Sequence, residues 1–185
     1  MTPDDGQLGK TPDFYRVDLK HMRIADLCEA LAVWEAKRPD DGLPVWGHLN
    51  FLDFDPRILP RMILLDVDLE PGFGTYRYWG TRVASFNATD MTGRRVSQLV
   101  PLRHVSYSES QYQWIVDHRE PSLFVACLGE KSWDKKYEAM LRMPCHSDLR
   151  TNAIDRILSV GFYDYVQQTI KDFVDVDIDL DNYFA

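Results

Sequence analysis

The sequence predicts an α+β fold: an antiparallel five-stranded sheet with short helices and one long helix on one face, preceded by an amphipathic helix. Three observations predict it. Two β-rich runs lie close together at 62–69 and 75–79. Three more follow at 122–128, 137–143 and 153–163. A single long stretch of helical periodicity, 102–118, stands between the two groups. Strands gathered in runs, instead of alternating one by one with helices, pair antiparallel and leave one face for the helices.

Taken in order, residues 1–20 are rich in Pro, Asp, Gly and Lys and carry no apolar period, which predicts a mobile leader. In 21–39, Ile24, Leu27, Cys28, Leu31 and Trp34 recur at three- and four-residue steps, the spacing of an amphipathic helix that Pro39 to Gly42 ends. The stripe Ile24, Leu27, Leu31 and Trp34 predicts a homodimer formed through this helix; packing of the stripe on the chain's own sheet is the competing outcome. Residues 42–60 are punctuated by Pro and Asp yet hold Trp46, Leu49, Phe51, Leu52 and Phe54, so they read as irregular structure wrapped on a core.

The runs 62–69 and 75–79, joined by Glu70 to Gly74, read as a hairpin. Residues 80–99 are short, weakly periodic pieces. In 102–118, Leu102, Val105, Tyr112, Ile115 and Val116 share a helical face, and Glu120-Pro121 stops the helix. In 137–143, Tyr137, Ala139, Leu141 and Met143 alternate with Glu138, Met140 and Arg142. The domain proper is assigned to 40–165 and an acidic C-terminal tail to 166–185.

The chain has 185 residues, 45% of them hydrophobic, which suits one domain with a real core. Its formal charge of −8 lacks the basic footprint that nucleic-acid backbones require, so no nucleic-acid partner is expected. No apolar run approaches the roughly 18 residues of a membrane span, and the acidic N-terminus is unlike a secretory signal, which predicts a cytoplasmic protein with no membrane association. Three cysteines, Cys28, Cys127 and Cys145, lie far apart without a paired motif. They suit free thiols in a reducing compartment and argue against a zinc site; no metal site is expected.

Several motifs stand out: Leu43-Pro44, Asp53-Phe54-Asp55-Pro56, Leu59-Pro60, Leu64-Leu65-Asp66-Val67, Tyr76-Arg77-Tyr78-Trp79-Gly80-Thr81 and Asp90-Met91-Thr92-Gly93-Arg94. With these, residues 24–163 resemble the PAS domain, specifically the bacterial single-domain PAS family long catalogued as a domain of unknown function. The resemblance implies a sensory or interaction module without catalytic residues. It also implies that any ligand lies between the sheet and the long helix, which singles out Tyr107, Gln111 and Trp114 on the helix and Tyr78 and Leu141 on the sheet.

Haem in PAS-like sensors is held by an axial imidazole, which draws attention to His104 and His118 on the long helix. Neither lies in a covalent haem motif, so haem is not favoured. A light-driven flavin sensor needs a reactive cysteine after the second strand, and 93–99 has none. Thiol-adduct flavin chemistry is therefore disfavoured, and the cofactor is left open. The alternating aspartates from Asp175 to Asp181 resemble a calcium loop but put Leu180 where glycine is needed. Asp66 with Asp68, and Asp53 with Asp55, read as solvent-facing charge and turn caps. Arg94, Arg95 and Arg103 make a small basic patch.

Together these features predict a non-enzymatic PAS-like sensory or protein-interaction module that signals through a partner protein. The alternative is a small-molecule-processing α+β enzyme, against which stands the lack of any nucleophile–base or phosphate-loop spacing.

Overall fold

The structure is a computed structural model, and it describes residues 10–11, 14–40, 42–68, 72–128, 135–147 and 153–175. The alternating aspartates beyond Asp175 lie outside the described residues, as do residues 1–9 of the expected leader. The chain runs β1 (Lys10–Thr11), β2 (Phe14–Val17), α1 (Ala25–Ala36), β3 (Met62–Asp66), β4 (Thr75–Trp79), α2 (Thr81–Asn87), α3 (Arg103–His118), β5 (Ser122–Cys127), β6 (Tyr137–Cys145), β7 (Arg156–Asp164) and α4 (Gln167–Val174). The class is mixed α+β with one antiparallel sheet.

Among the described residues the sheet order is β1-β2-β5-β6-β7-β3-β4, so it is wider than the five strands expected. The reason lies in residues 14–17. Tyr15, Arg16 and Val17 pair with Val125, Phe124 and Leu123, and Phe14 packs edge-on against Phe124 with ring centroids 4.9 Å apart. A four-residue strand is too short to show a period, but burial of Phe14 and Val17 secures it. This part of the expected leader is therefore structural.

The sheet is covered on both faces. On one, α1 lays Leu27, Ala30 and Trp34 against β6 and β7, all buried, and Trp34 Nε1 donates to the Pro144 carbonyl at 2.9 Å. The apolar stripe expected to join two copies is thus occupied within one chain, which removes the basis for a dimer through this helix. Beside it α4 buries Ile170 and Val174, and its Phe173 carbonyl accepts from the Arg23 amide at 2.7 Å. The first half of the expected acidic tail is therefore a packed helix.

On the other face lie α2 and α3. Gly80 leads from β4 into α2 where a Cβ would come within 2.3 Å of the Pro60 carbonyl oxygen, so only glycine permits that approach. The irregular segment before β3 buries Leu43, Leu49, Phe54 and Ile58, whereas Leu52, expected to be covered, is 94% exposed.

Candidate functional site

The sheet face beneath α3 is built from a cross-strand row. Arg142 on β6 pairs with Ser159 on β7, Ser159 with Ile63 on β3, and Ile63 with Trp79 on β4, so side chains from four strands stand side by side. Further along, Glu138 pairs with Tyr163. Above them α3 turns Tyr107, Ser108, Gln111 and Tyr112 inward, all buried, at the three- and four-residue steps of one helix face.

Between these layers is a cavity of about 30 Å³, lined among others by Trp79, His104, Tyr107, Tyr112, Glu138, Arg142 and Tyr163. At roughly 10–15 Å³ per water molecule it has room for about two. Pockets for organic cofactors run to about 300–1,000 Å³, so the residues present do not fit a haem or a flavin.

The lining is polar for a buried site. Tyr107 donates its hydroxyl proton to Glu138 Oε1 in a short hydrogen bond. Burial pushes the Glu138 carboxyl above its ordinary range, against the opposing pull of the Tyr107 hydrogen bond and of the Arg142 charge. Tyr112 donates to the Tyr76 hydroxyl at 3.3 Å, and burial raises Tyr76 well above the usual phenol range. Arg142 Nε donates to Gln111 Oε1 at 2.6 Å and its Nη1 donates to Ser159 Oγ at 3.0 Å. Three buried atoms find no partner among the described residues: Trp79 Nε1, Gln111 Nε2 and the Tyr163 hydroxyl.

Tyr163 reaches this position because residue 161 is glycine. A Cβ there would lie 2.4 Å from the Tyr163 hydroxyl oxygen, so the ring folds back along β7 over Gly161, with its face 4.4 Å from Phe86 on α2.

Of the residues expected to bind a ligand, the structure brings Tyr107 to the cavity, and it sets Gln111 behind the wall, bonded to the lining Arg142. The others lie elsewhere. Leu141 is on the α1 face, because alternation along β6 sends it opposite to Met140 and Arg142. Tyr78 packs against Phe51 at 4.7 Å and donates to the Leu59 carbonyl at 3.0 Å. Trp114 sits over β5 and β2, stacked on His118 at 4.0 Å and 5.9 Å from Phe124, with the Arg16 guanidinium 4.8 Å from its ring. His104 lines the cavity, its Nε2 3.5 Å from the Leu128 carbonyl, whereas His118 bonds the Trp114 carbonyl at 2.9 Å outside it.

Sequence reasoning missed Trp79, Glu138, Arg142 and Tyr163. The available signal was a Glu and an Arg inside an otherwise apolar strand, legible as buried only once both sheet faces are known to be covered. The aspartates read as solvent-facing charge and turn caps form ion pairs: Asp66 with Arg77 and Arg156, Asp68 with Arg95, Asp53 with Lys37, Asp55 with Arg57. Among the described residues no cluster of three His, Cys, Asp or Glu side chains could hold a metal ion, and no helix is long and apolar enough to cross a membrane.

Fold and site together define an α+β domain with one antiparallel sheet and a small, polar cavity beneath its longest helix. No protein-family model matches the chain, and no curated protein does. Among solved structures it is similar to an RNA-binding Light-Oxygen-Voltage receptor, with 13% identity and a TM-score of 0.45 over 74% of this chain. The match spans 40% of that receptor chain. A likeness at this level carries neither ligand nor activity.

Proposed function

We propose that this chain is a PAS-like sensory module that takes a small polar ligand into the cavity between α3 and the sheet and signals through a protein partner, without chemistry of its own. The observation that carries this is the pair of unpartnered buried polar atoms on Trp79 and Tyr163, both lining one cavity. A buried group without a hydrogen bond costs about 1–3 kcal/mol, and two on the wall of one cavity describe a site whose partner is an exchangeable molecule. Glu138 is the one acid among the described lining residues, and no serine, cysteine or lysine there is hydrogen-bonded to it as a nucleophile would be.

The route outward is α3. Its inner face lines the cavity, while Gln113 and Asp117 on the opposite face are exposed and bonded to each other at 2.7 Å. A change of occupancy felt at Tyr107 and Gln111 is carried to the surface by the rigid helix between them.

The test follows the indole N–H resonances of the full chain by NMR while small polar molecules, neutral and charged, are added. A saturable shift of the Trp79 resonance, with Trp34 and Trp114 unmoved, supports the ligand site. A panel in which nothing moves Trp79 overturns it.

A further inference from the structure

Arg142 brings a positive charge to the cavity. It is 2% exposed, and each group it touches directly is neutral: the Gln111 amide oxygen, the Ser159 hydroxyl and the Tyr112 ring, whose centroid is 4.1 Å from the guanidinium carbon. Glu138 stands on the same face of β6 but four residues away, about 13 Å along a strand rising roughly 3.3 Å per residue. Its carboxylate is already bonded by Tyr107. Among the described residues no acid forms an ion pair with Arg142. Glu138 acts on Arg142 only through space, without an ion pair, and a buried cation with no anion in direct contact is costly for a fold to hold.

The unpartnered atoms point the same way. Trp79 Nε1 can only donate. The orientation of Gln111 is decided by Arg142, which has donors alone, so Oε1 must face the guanidinium and Nε2 is left as a donor. The Tyr163 hydroxyl can donate as well. Charge and hydrogen bonding therefore call for one kind of occupant, an electron-rich acceptor, and the volume limits it to about two or three heavy atoms.

We infer that the cavity is a receptor for a compact monoanion, halide or formate-sized carboxylate, held by Arg142 with donors from Trp79 and Tyr163, while Gln111 fixes the guanidinium from behind. It rests on the reading of the cavity as a ligand site. Water fills the same space but leaves Arg142 with no anion in direct contact, and phosphate or a larger carboxylic acid exceeds the room available.

The experiment is thermal denaturation of the full chain at constant ionic strength, with sodium gluconate, too bulky to enter, replaced stepwise by chloride, bromide or formate. The midpoint is expected to rise and saturate with the small anions. Gln111→Glu places a carboxylate of the same shape beside Arg142. That variant should melt in gluconate as high as the wild type does in saturating small anion, and its response should fall by about tenfold or more. If the variant does not fold, bromide located by anomalous scattering in a soaked crystal decides: bromide in the cavity against Arg142 supports the receptor, and bromide only elsewhere overturns it.

A wild-type midpoint that ignores the anions also overturns it. The two readings separate at that point. If formamide, neutral and of similar size, shifts the Trp79 indole resonance while the anions do not, the ligand site stands and the anion receptor falls; if neither shifts it, both fall. Between the sources, a response to formate alone marks a carboxylate ligand, and equal responses mark a site for small anions at large.

Discussion

Arg142 Nε and Gln111 Oε1 lie 2.6 Å apart, and this bond ties the centre of the sheet to the long helix above it. Both side chains are buried, and among the described residues the polar tie from the sheet to α1 on the other face is the Trp34 indole bond to Pro144. The two sides of the sheet thus do different work, one as core and one as site.

Replacing Gln111 with Leu removes the acceptor and leaves the Arg142 Nε–H buried without a partner. The expected loss is about 1–3 kcal/mol of stability, at the upper end because the orphaned group is charged. Urea denaturation measures it; a variant as stable as the wild type would show that water satisfies Arg142 from outside the cavity wall.

Trp34→Ala should cost about 3–5 kcal/mol, since the side chain is fully buried against β6 and loses its hydrogen bond as well. Light scattering on the same samples should show no drop in oligomer size. A chain beginning at residue 40 should lose solubility instead of converting from dimer to monomer, because it bares the sheet face that Leu27, Ala30 and Trp34 cover.

Asp66 joins three strands: its Oδ2 accepts from Arg77 Nε at 2.8 Å on β4 and its Oδ1 from Arg156 Nε at 2.9 Å on β7. Burial raises its pKa, but the two arginine hydrogen bonds and charges outweigh that, and the carboxyl ends below its usual value. Its contribution is therefore present above the unfolded pKa of about 3.9 and lost as pH falls through the lower folded value. With a side chain 35% exposed, the contribution is about 1 kcal/mol after screening. Asp66→Asn should lower stability by that amount at pH 7 and lessen the loss on acidification, read from denaturation curves between pH 2 and 7.

The three cysteines should divide by burial. Cys28 is exposed on α1, whereas Cys127 and Cys145 are buried, and burial pushes the Cys145 thiol up to about 12. A thiol-specific reagent at pH 8 should titrate one group in the folded chain and three in denaturant. Fast reaction of a second thiol in the native state would reveal opening of the sheet.

Much of the fold was legible because local rules act over a few residues. The helix expected at 102–118 is Arg103–His118, the helix in 21–39 is Ala25–Ala36, and the strand at 75–79 has the same bounds in both. Each carries its own period, and a period records which face is wet. The boundaries of the strand expected at 153–163 moved to Arg156–Asp164, where the register with β6 decides the ends. The strand at Phe14–Val17 and the helix Gln167–Val174 were not legible, since both are short and owe their order to the surface they cover.

By itself the sequence determined an α+β class, a long helix facing a sheet, and the polar character of that helix at Tyr107 and Gln111. Only the tertiary structure decided which side of β6 faces it. Alternation separates Leu141 from Arg142 but cannot say which is inside when helices cover both faces, and here the charged face is the one that lines the cavity. The convergence of Trp79, Arg142 and Tyr163 from β4, β6 and β7 was likewise set by strand order and register. These are long-range pairings that no short window of sequence contains, and they depend on the sheet closing as a whole.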